Sequence, residues 1–103
     1  MNHKTPLTEA LYYILLSVRK PNHGYGIIQE VREITNDRVI LGPGTLYGAI
    51  NSLLAKGWIR LYQENMDSRN KKQYILTESG KEVFHQEVQR LQELLKNAQY
   101  MED

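Results

Sequence analysis

The chain has 103 residues, 41% of them hydrophobic and 24% charged, enough for one compact domain and too few for two. It holds no cysteine, which excludes disulfides and thiolate metal sites, and no run of roughly 18 apolar residues, which excludes a membrane-spanning helix. The net charge is only +1, but ten Lys/Arg stand against six Asp/Glu in residues 1–76, and three against six from Thr77 onward. Met1-Asn2-His3-Lys4-Thr5-Pro6 runs into an interrupted, tyrosine-containing pattern unlike the apolar core of a signal peptide, so a cytoplasmic location is expected.

Thr5-Pro6 reads as a helix start, with threonine as cap and proline in the first turn. Leu7, Leu11, Ile14, Leu15 and Val18 then recur at helical spacing. Lys20-Pro21-Asn22-His23-Gly24 breaks that helix. A second opens near Gly24-Tyr25 and sets Ile27, Ile28, Val31 and Ile34 on one side. Asn36-Asp37 turns the chain, and Val39-Ile40-Leu41 reads as a small strand. The third helix starts at Gly42-Pro43, buries Leu46, Ile50, Leu53 and Leu54, and ends at Gly57. After Trp58 the period changes: Ile59 and Leu61 alternate with Arg60 and Tyr62 as in a half-buried strand. Asn65 to Asn70 is a turn-rich tip, and Lys72-Gln73-Tyr74-Ile75-Leu76 returns. Helices followed by a two-stranded hairpin is the order of a winged helix. The expected fold is therefore mainly α with a small β-hairpin, a winged helix-turn-helix domain over 1–76 and a long C-terminal dimerisation helix over 77–103.

In that last helix Phe84, Val88, Leu91, Leu95 and Ala98 alternate steps of four and three, a heptad spacing that Leu94 and Met101 broaden. Glu87, Arg90, Glu93 and Lys96 fall off the seam. A lone chain would expose these leucines, so a two-fold homodimer is expected, with Leu11, Tyr12 and Tyr13 of the first helix close to the interface. The alternative is a helix folded back on its own domain. An aromatic first helix opposite an amphipathic last one also suggests an apolar pocket for a small aromatic effector, lined by Tyr12, Tyr13, Phe84, Val88 and Leu91.

A helix-turn-helix presents the start of its second helix to the major groove. With Leu46 and Ile50 inward, the outward candidates are Pro43, Gly44, Thr45, Tyr47, Gly48 and Asn51. Small residues at a helix N-terminus suit close approach to phosphate, the Thr45 and Tyr47 hydroxyls can bond phosphate oxygens, and Asn51 can read an adenine edge. For Tyr47 the other reading is a cap over the core. His23-Gly24-Tyr25-Gly26 offers a second phosphate site, or only turn chemistry. On the hairpin, Arg69, Lys71 and Lys72 suit a flanking backbone or groove, or simply keep an edge strand soluble. His3, His23 and His85 lack metal-ligand spacing, Ser68 beside Asp67 is a turn pair, and no phosphate loop occurs. Neither an enzyme nor a cofactor is expected.

The blocks His23-Gly24-Tyr25-Gly26-Ile27, Gly42-Pro43-Gly44-Thr45-Leu46-Tyr47-Gly48, Leu53-Leu54-Ala55-Lys56-Gly57-Trp58-Ile59 and Tyr74-Ile75-Leu76-Thr77-Glu78-Ser79-Gly80 resemble, in order, the PadR family of bacterial transcriptional regulators, in its short subgroup with one C-terminal helix. That resemblance implies a winged helix, a dimerisation helix and repression of nearby genes, in some members relieved by small phenolic or drug-like molecules. It carries recognition-helix roles onto Gly44, Thr45 and Tyr47, and a basic wing onto Lys71 and Lys72. Many members read Arg-Lys-Tyr-Tyr where this chain has Lys71-Lys72-Gln73-Tyr74, which keeps the charge and loses the planar fork of arginine. Three functions remain in view: a DNA-binding repressor, a ligand sensor built on it, and a winged helix that binds protein and never DNA.

Overall fold

Thr8 starts the first helix. Its hydroxyl accepts from the Leu11 amide at 3.1 Å, so α1 runs Glu9–Ser17. The start expected at Thr5-Pro6 is corrected accordingly: Pro6 precedes the helix, and Thr5 lies outside the residues described by this computed structural model, which are 6–65 and 71–102. The order continues with β1 (Asn22–His23), α2 (Gly24–Ile34), α3 (Pro43–Lys56), β2 (Ile59–Asn65), β3 (Lys71–Leu76), α4 (Glu78–Asn97) and a 3₁₀ segment, Ala98–Glu102. This is the expected mainly helical winged fold, with one more strand in its sheet. Among the described residues no helix is long and apolar enough to cross a membrane.

The extra strand is not the one expected. Val39-Ile40-Leu41 forms no strand, although it alternates as one, with Leu41 buried and Ile40 exposed. The two edges of β3 are already taken, by β2 on one side and by β1 on the other, in the antiparallel order β1-β3-β2. Val39 is instead held by its amide, which donates to the Thr35 hydroxyl at 3.0 Å.

The core gathers Ile14, Leu15 and Val18 of α1, Ile27 and Val31 of α2, and Leu46, Ile50 and Leu53 of α3, closed by Leu41, Ile59 and Tyr74. Three residues expected inside are not. Leu54 is exposed because it follows Leu53 around the helix by about 100°, off the stripe of Leu46, Ile50 and Leu53. Ile34 is exposed on the last turn of α2, just before Asn36 and Asp37 take left-handed φ values of 52° and 64° and turn the chain away. Leu61 is exposed where the β2–β3 register shifts between Leu61 and Gln63. At the other end of α1, Arg38 forks onto Glu9 and ties the helix start to the loop before α3. Its hydrogen bonding holds the Glu9 carboxyl below the usual carboxylate range.

Gly57 ends α3 in the left-handed region (φ 76°), with the Trp58 amide reaching back to the Leu53 carbonyl at 3.1 Å. The two carbonyls that follow receive α4. The Thr77 hydroxyl donates to the Gly57 carbonyl at 2.7 Å and accepts from the Gly80 amide at 3.0 Å, while the Thr77 amide donates to the Trp58 carbonyl at 3.0 Å. Gly80 is buried against that same peptide, and a Cβ there would meet the Trp58 carbonyl and stand 2.9 Å from its carbon. Gly80→Ala should therefore destabilise the fold by about 1–3 kcal/mol through overpacking. Thr77→Ala should cost about 1 kcal/mol as a lost cap, and Thr77→Ser should stay close to wild type. Urea melts measure all three, and an unshifted midpoint for Gly80→Ala would contradict the tight seat.

Candidate nucleic-acid interface

α3 begins with Gly42 as its cap, and no side chain closes that end. Pro43 at the first position has no amide to satisfy, so the amides of Gly44 and Thr45 are the open donors of the turn. Pro43, Gly44, Thr45, Tyr47, Gly48 and Asn51 are all exposed, and Leu46 and Ile50 between them are buried. The six outward candidates thus share one solvent face. Gly44 and Gly48 have open space on that face, where an added Cβ would meet nothing within 4 Å. Positive dipole, free amides and little steric cover together suit an anion.

The start of α2 lies beside it. His23 caps α2, its Nδ1 accepting from the Gly26 amide at 3.1 Å. Asn22 braces the corner: its Oδ1 accepts from the His23 amide at 3.0 Å, and its Nδ2 donates to the Ser17 carbonyl at 3.1 Å. Tyr25 stands 64% exposed, its hydroxyl accepting from Gln29 at 2.7 Å and keeping its own proton to donate. Tyr47 joins the two helix starts. Its phenol tip lies over Gly24, with Cζ 2.8 Å from where a Cβ would be, while the residue as a whole is 48% exposed. The Tyr47 ring thus packs on α2 rather than over the core, and its hydroxyl sits at the N-terminus of α2.

The strand β1, invisible to sequence periodicity, brings the wing to this face. His23 pairs with Gln73, so exposed Lys72 is the next residue of β3 beyond the α2 cap. Lys72 also stands opposite Glu64 in the β2–β3 register. Arg69 lies outside the described residues, and of Lys71 only the backbone is described. No cluster of three His, Asp or Glu among the described residues could hold a metal ion.

A second candidate surface follows α4. Its first half packs on the domain: Val83 is buried, and the Phe84 ring lies 4.8 Å from that of Tyr12, which meets Tyr13 edge-on at 5.3 Å. Leu11 is half-buried against the core, and Val88 is half-buried. Glu87, expected off the seam, is only 6% exposed, and Arg90 grips it through two hydrogen bonds of 2.9 and 2.7 Å that push the guanidinium pKa up. From Leu91 to Glu102 every residue is exposed, Leu94, Leu95, Tyr100 and Met101 included. The α-helix stops at Asn97, so Ala98 and Met101 fall in the 3₁₀ segment and leave the expected heptad. A groove of about 400 Å³ opens between α1 and α4, lined by Leu7, Glu9, Tyr12, Tyr13, Glu87, Arg90 and Leu91. Phe84 and Val88, expected in its lining, do not line it, since the Phe84 ring is taken up by Tyr12.

Comparison with known proteins gives the family. The model of the transcriptional regulator PadR-like family matches residues 13–86. An uncharacterized 37.1 kDa protein in transposon Tn4556 of Streptomyces fradiae is 35% identical over 74 residues, which cover 72% of this chain and 20% of that protein. The chain thus spans about a fifth of the length of that curated relative. A PadR family transcription regulator from Clostridium difficile R20291 is 26% identical with a TM-score of 0.71, over 89% of this chain and 94% of that one. Bacillus subtilis PadR, solved in complex with operator DNA, is 28% identical with a TM-score of 0.64, over 74% of this chain and 45% of that one. With a match that runs from α1 into α4, this chain belongs to the PadR-like family of transcriptional regulators and has its winged-helix DNA-binding fold.

Proposed function

We propose that this chain forms a two-fold dimer in the cytoplasm, binds double-stranded DNA through α3, and represses the promoter it covers. The observation that carries the DNA reading is the meeting of two helix N-termini on one exposed face, joined by Tyr47 over Gly24. Each end offers backbone donors and a positive dipole to a phosphate, and the hydroxyls of Tyr25, Thr45 and Tyr47 with the Lys72 ammonium add contacts around them. The likeness to Bacillus subtilis PadR, a protein solved with operator DNA, supports it.

The dimer reading rests on α4. We take residues 77–103 as the pairing segment and 1–76 as the DNA-binding part. Leu91, Leu94 and Leu95 are uncovered on an arm that helps stretch the chain to 60 × 34 × 20 Å, and a second copy is the natural cover for such a face. Paired arms would set the two α3 helices about 34 Å apart, one turn of duplex, so the operator is pseudo-palindromic. Leu95 is 77% exposed in a single chain, so Leu95→Glu should leave each chain folded, shift sedimentation from dimer to monomer at micromolar concentration, and weaken DNA binding. A variant that sediments like wild type would sink the proposed seam.

Gly48→Ala separates folding from binding. Alanine is favoured over glycine inside a helix by up to about 1 kcal/mol, and the new methyl meets nothing in the protein. Thermal stability should rise while affinity for DNA from upstream of the gene falls. In gel shifts wild-type affinity should drop steeply, by roughly a thousandfold or more between 50 and 200 mM salt for six to ten phosphate contacts. Salt-insensitive binding would contradict the phosphate reading.

The groove between α1 and α4 favours an added layer of control. A small aromatic effector seated against Tyr12, Tyr13 and Leu91 would touch both the arm and the core, and so bias the spacing of the recognition helices. A panel of planar aromatics should contain compounds that raise thermal stability and change DNA affinity together. A panel that moves neither removes the effector.

A further inference from the structure

α3 is unusual in what its outward face lacks. From Pro43 to Ala55 it carries no charged residue. The single cation, Lys56, is the last residue of the helix, about 20 Å along the axis from the first turn. Its ammonium sits 5.0 Å above the Trp58 ring, back toward the hairpin. Guanine shows the major groove two acceptors, O6 and N7, and is read by a forked or cationic donor, arginine or lysine. None stands on the part of α3 that enters a groove.

The polar side chains left on that face are Thr45, Tyr47, Asn51 and Ser52. Tyr47 is committed to the N-terminus of α2, over Gly24, where a phosphate would lie. Thr45 and Ser52 each offer one hydroxyl, which donates or accepts and so discriminates weakly. Asn51 alone presents a donor and an acceptor side by side, the complement of adenine N7 and N6. Its amide is exposed and engages no group among the described residues. Asparagine is short, so it reaches a base only if the helix backbone sits close to the groove floor. Gly48, less than one turn before it, leaves that approach open.

We infer that α3 reads A·T base pairs, with Asn51 bidentate to one adenine of each half-site, and that no side chain of α3 reads a guanine in the major groove. This rests on the DNA-binding reading above and specifies its half-site.

The test is selection from random duplex DNA with the full chain, wild type beside Asn51→Ala and Asn51→Arg. Both substitutions fall on an exposed helical position and replace asparagine with a better helix former. Wild type should enrich a half-site with one strongly preferred adenine. Asn51→Ala should accept any base there and lose roughly 5- to 150-fold in affinity for the wild-type site, the range of one bidentate contact. Asn51→Arg should turn the preference toward guanine. In the selected site, 7-deazaadenine at the preferred position should weaken wild-type binding and leave Asn51→Ala indifferent, while 7-deazaguanine at each guanine should change wild-type binding less than about twofold. Loss of binding with 7-deazaguanine, or an unchanged preference in Asn51→Ala, overturns the inference while DNA binding stands. No enrichment by wild type overturns DNA binding, and this inference with it.

Discussion

Two carbonyls just past the end of α3, those of Gly57 and Trp58, decide where α4 can go. Thr77 takes both, through its hydroxyl and its amide, and the same hydroxyl caps the first turn of α4. Gly80 lets that turn lie against the Trp58 peptide with no side chain between them. The connection is short and polar, with Gly80 buried in its seat, so hydrogen-bond geometry helps set the angle between α3 and the arm. Hydrophobic packing tolerates small shifts far better than this. In the proposed dimer the separation of two α3 helices is inherited from that angle, once in each subunit.

What could be read beforehand was mostly local. Gly42-Pro43 and Gly57 delimit α3 because their conformational preferences act where they stand, and the outward face of the helix followed from its period. Propensity places the start of α1 at Thr5-Pro6, whereas the structure caps it with Thr8, whose hydroxyl accepts from the Leu11 amide. The strand Asn22–His23 exists because β3 offers it an edge fifty residues later, which no window of sequence reveals. Glu87 looked like a solvated residue of the last helix. Its burial follows from the way α4 packs on α1, and Arg90 at the next turn makes that burial tolerable. The lean of Tyr47 onto Gly24 was equally hidden, although a glycine at position 24 was its trace.

α4 does two jobs along one length. As far as Leu91 it borders the domain, held by Val83, the Phe84–Tyr12 contact and the Glu87–Arg90 pair; beyond that every described residue is exposed. The groove at the point of departure is lined from both sides, by tyrosines of α1 and by Glu87, Arg90 and Leu91 of α4. A change in that groove acts at the base of a lever, where a small rotation becomes a large displacement at the far end.

Tyr47 and Gly24 lie 23 positions apart and occupy one space. A side chain at 24 would displace the Tyr47 ring from its seat, so the two positions are coupled. Asn51, Gly48 and Thr45 face open solvent and carry no such obligation. On the proposed reading of DNA through α3, a lineage retargets such a protein by rewriting one side of that helix while the tyrosine anchor stays fixed, without any rebuilding of the core.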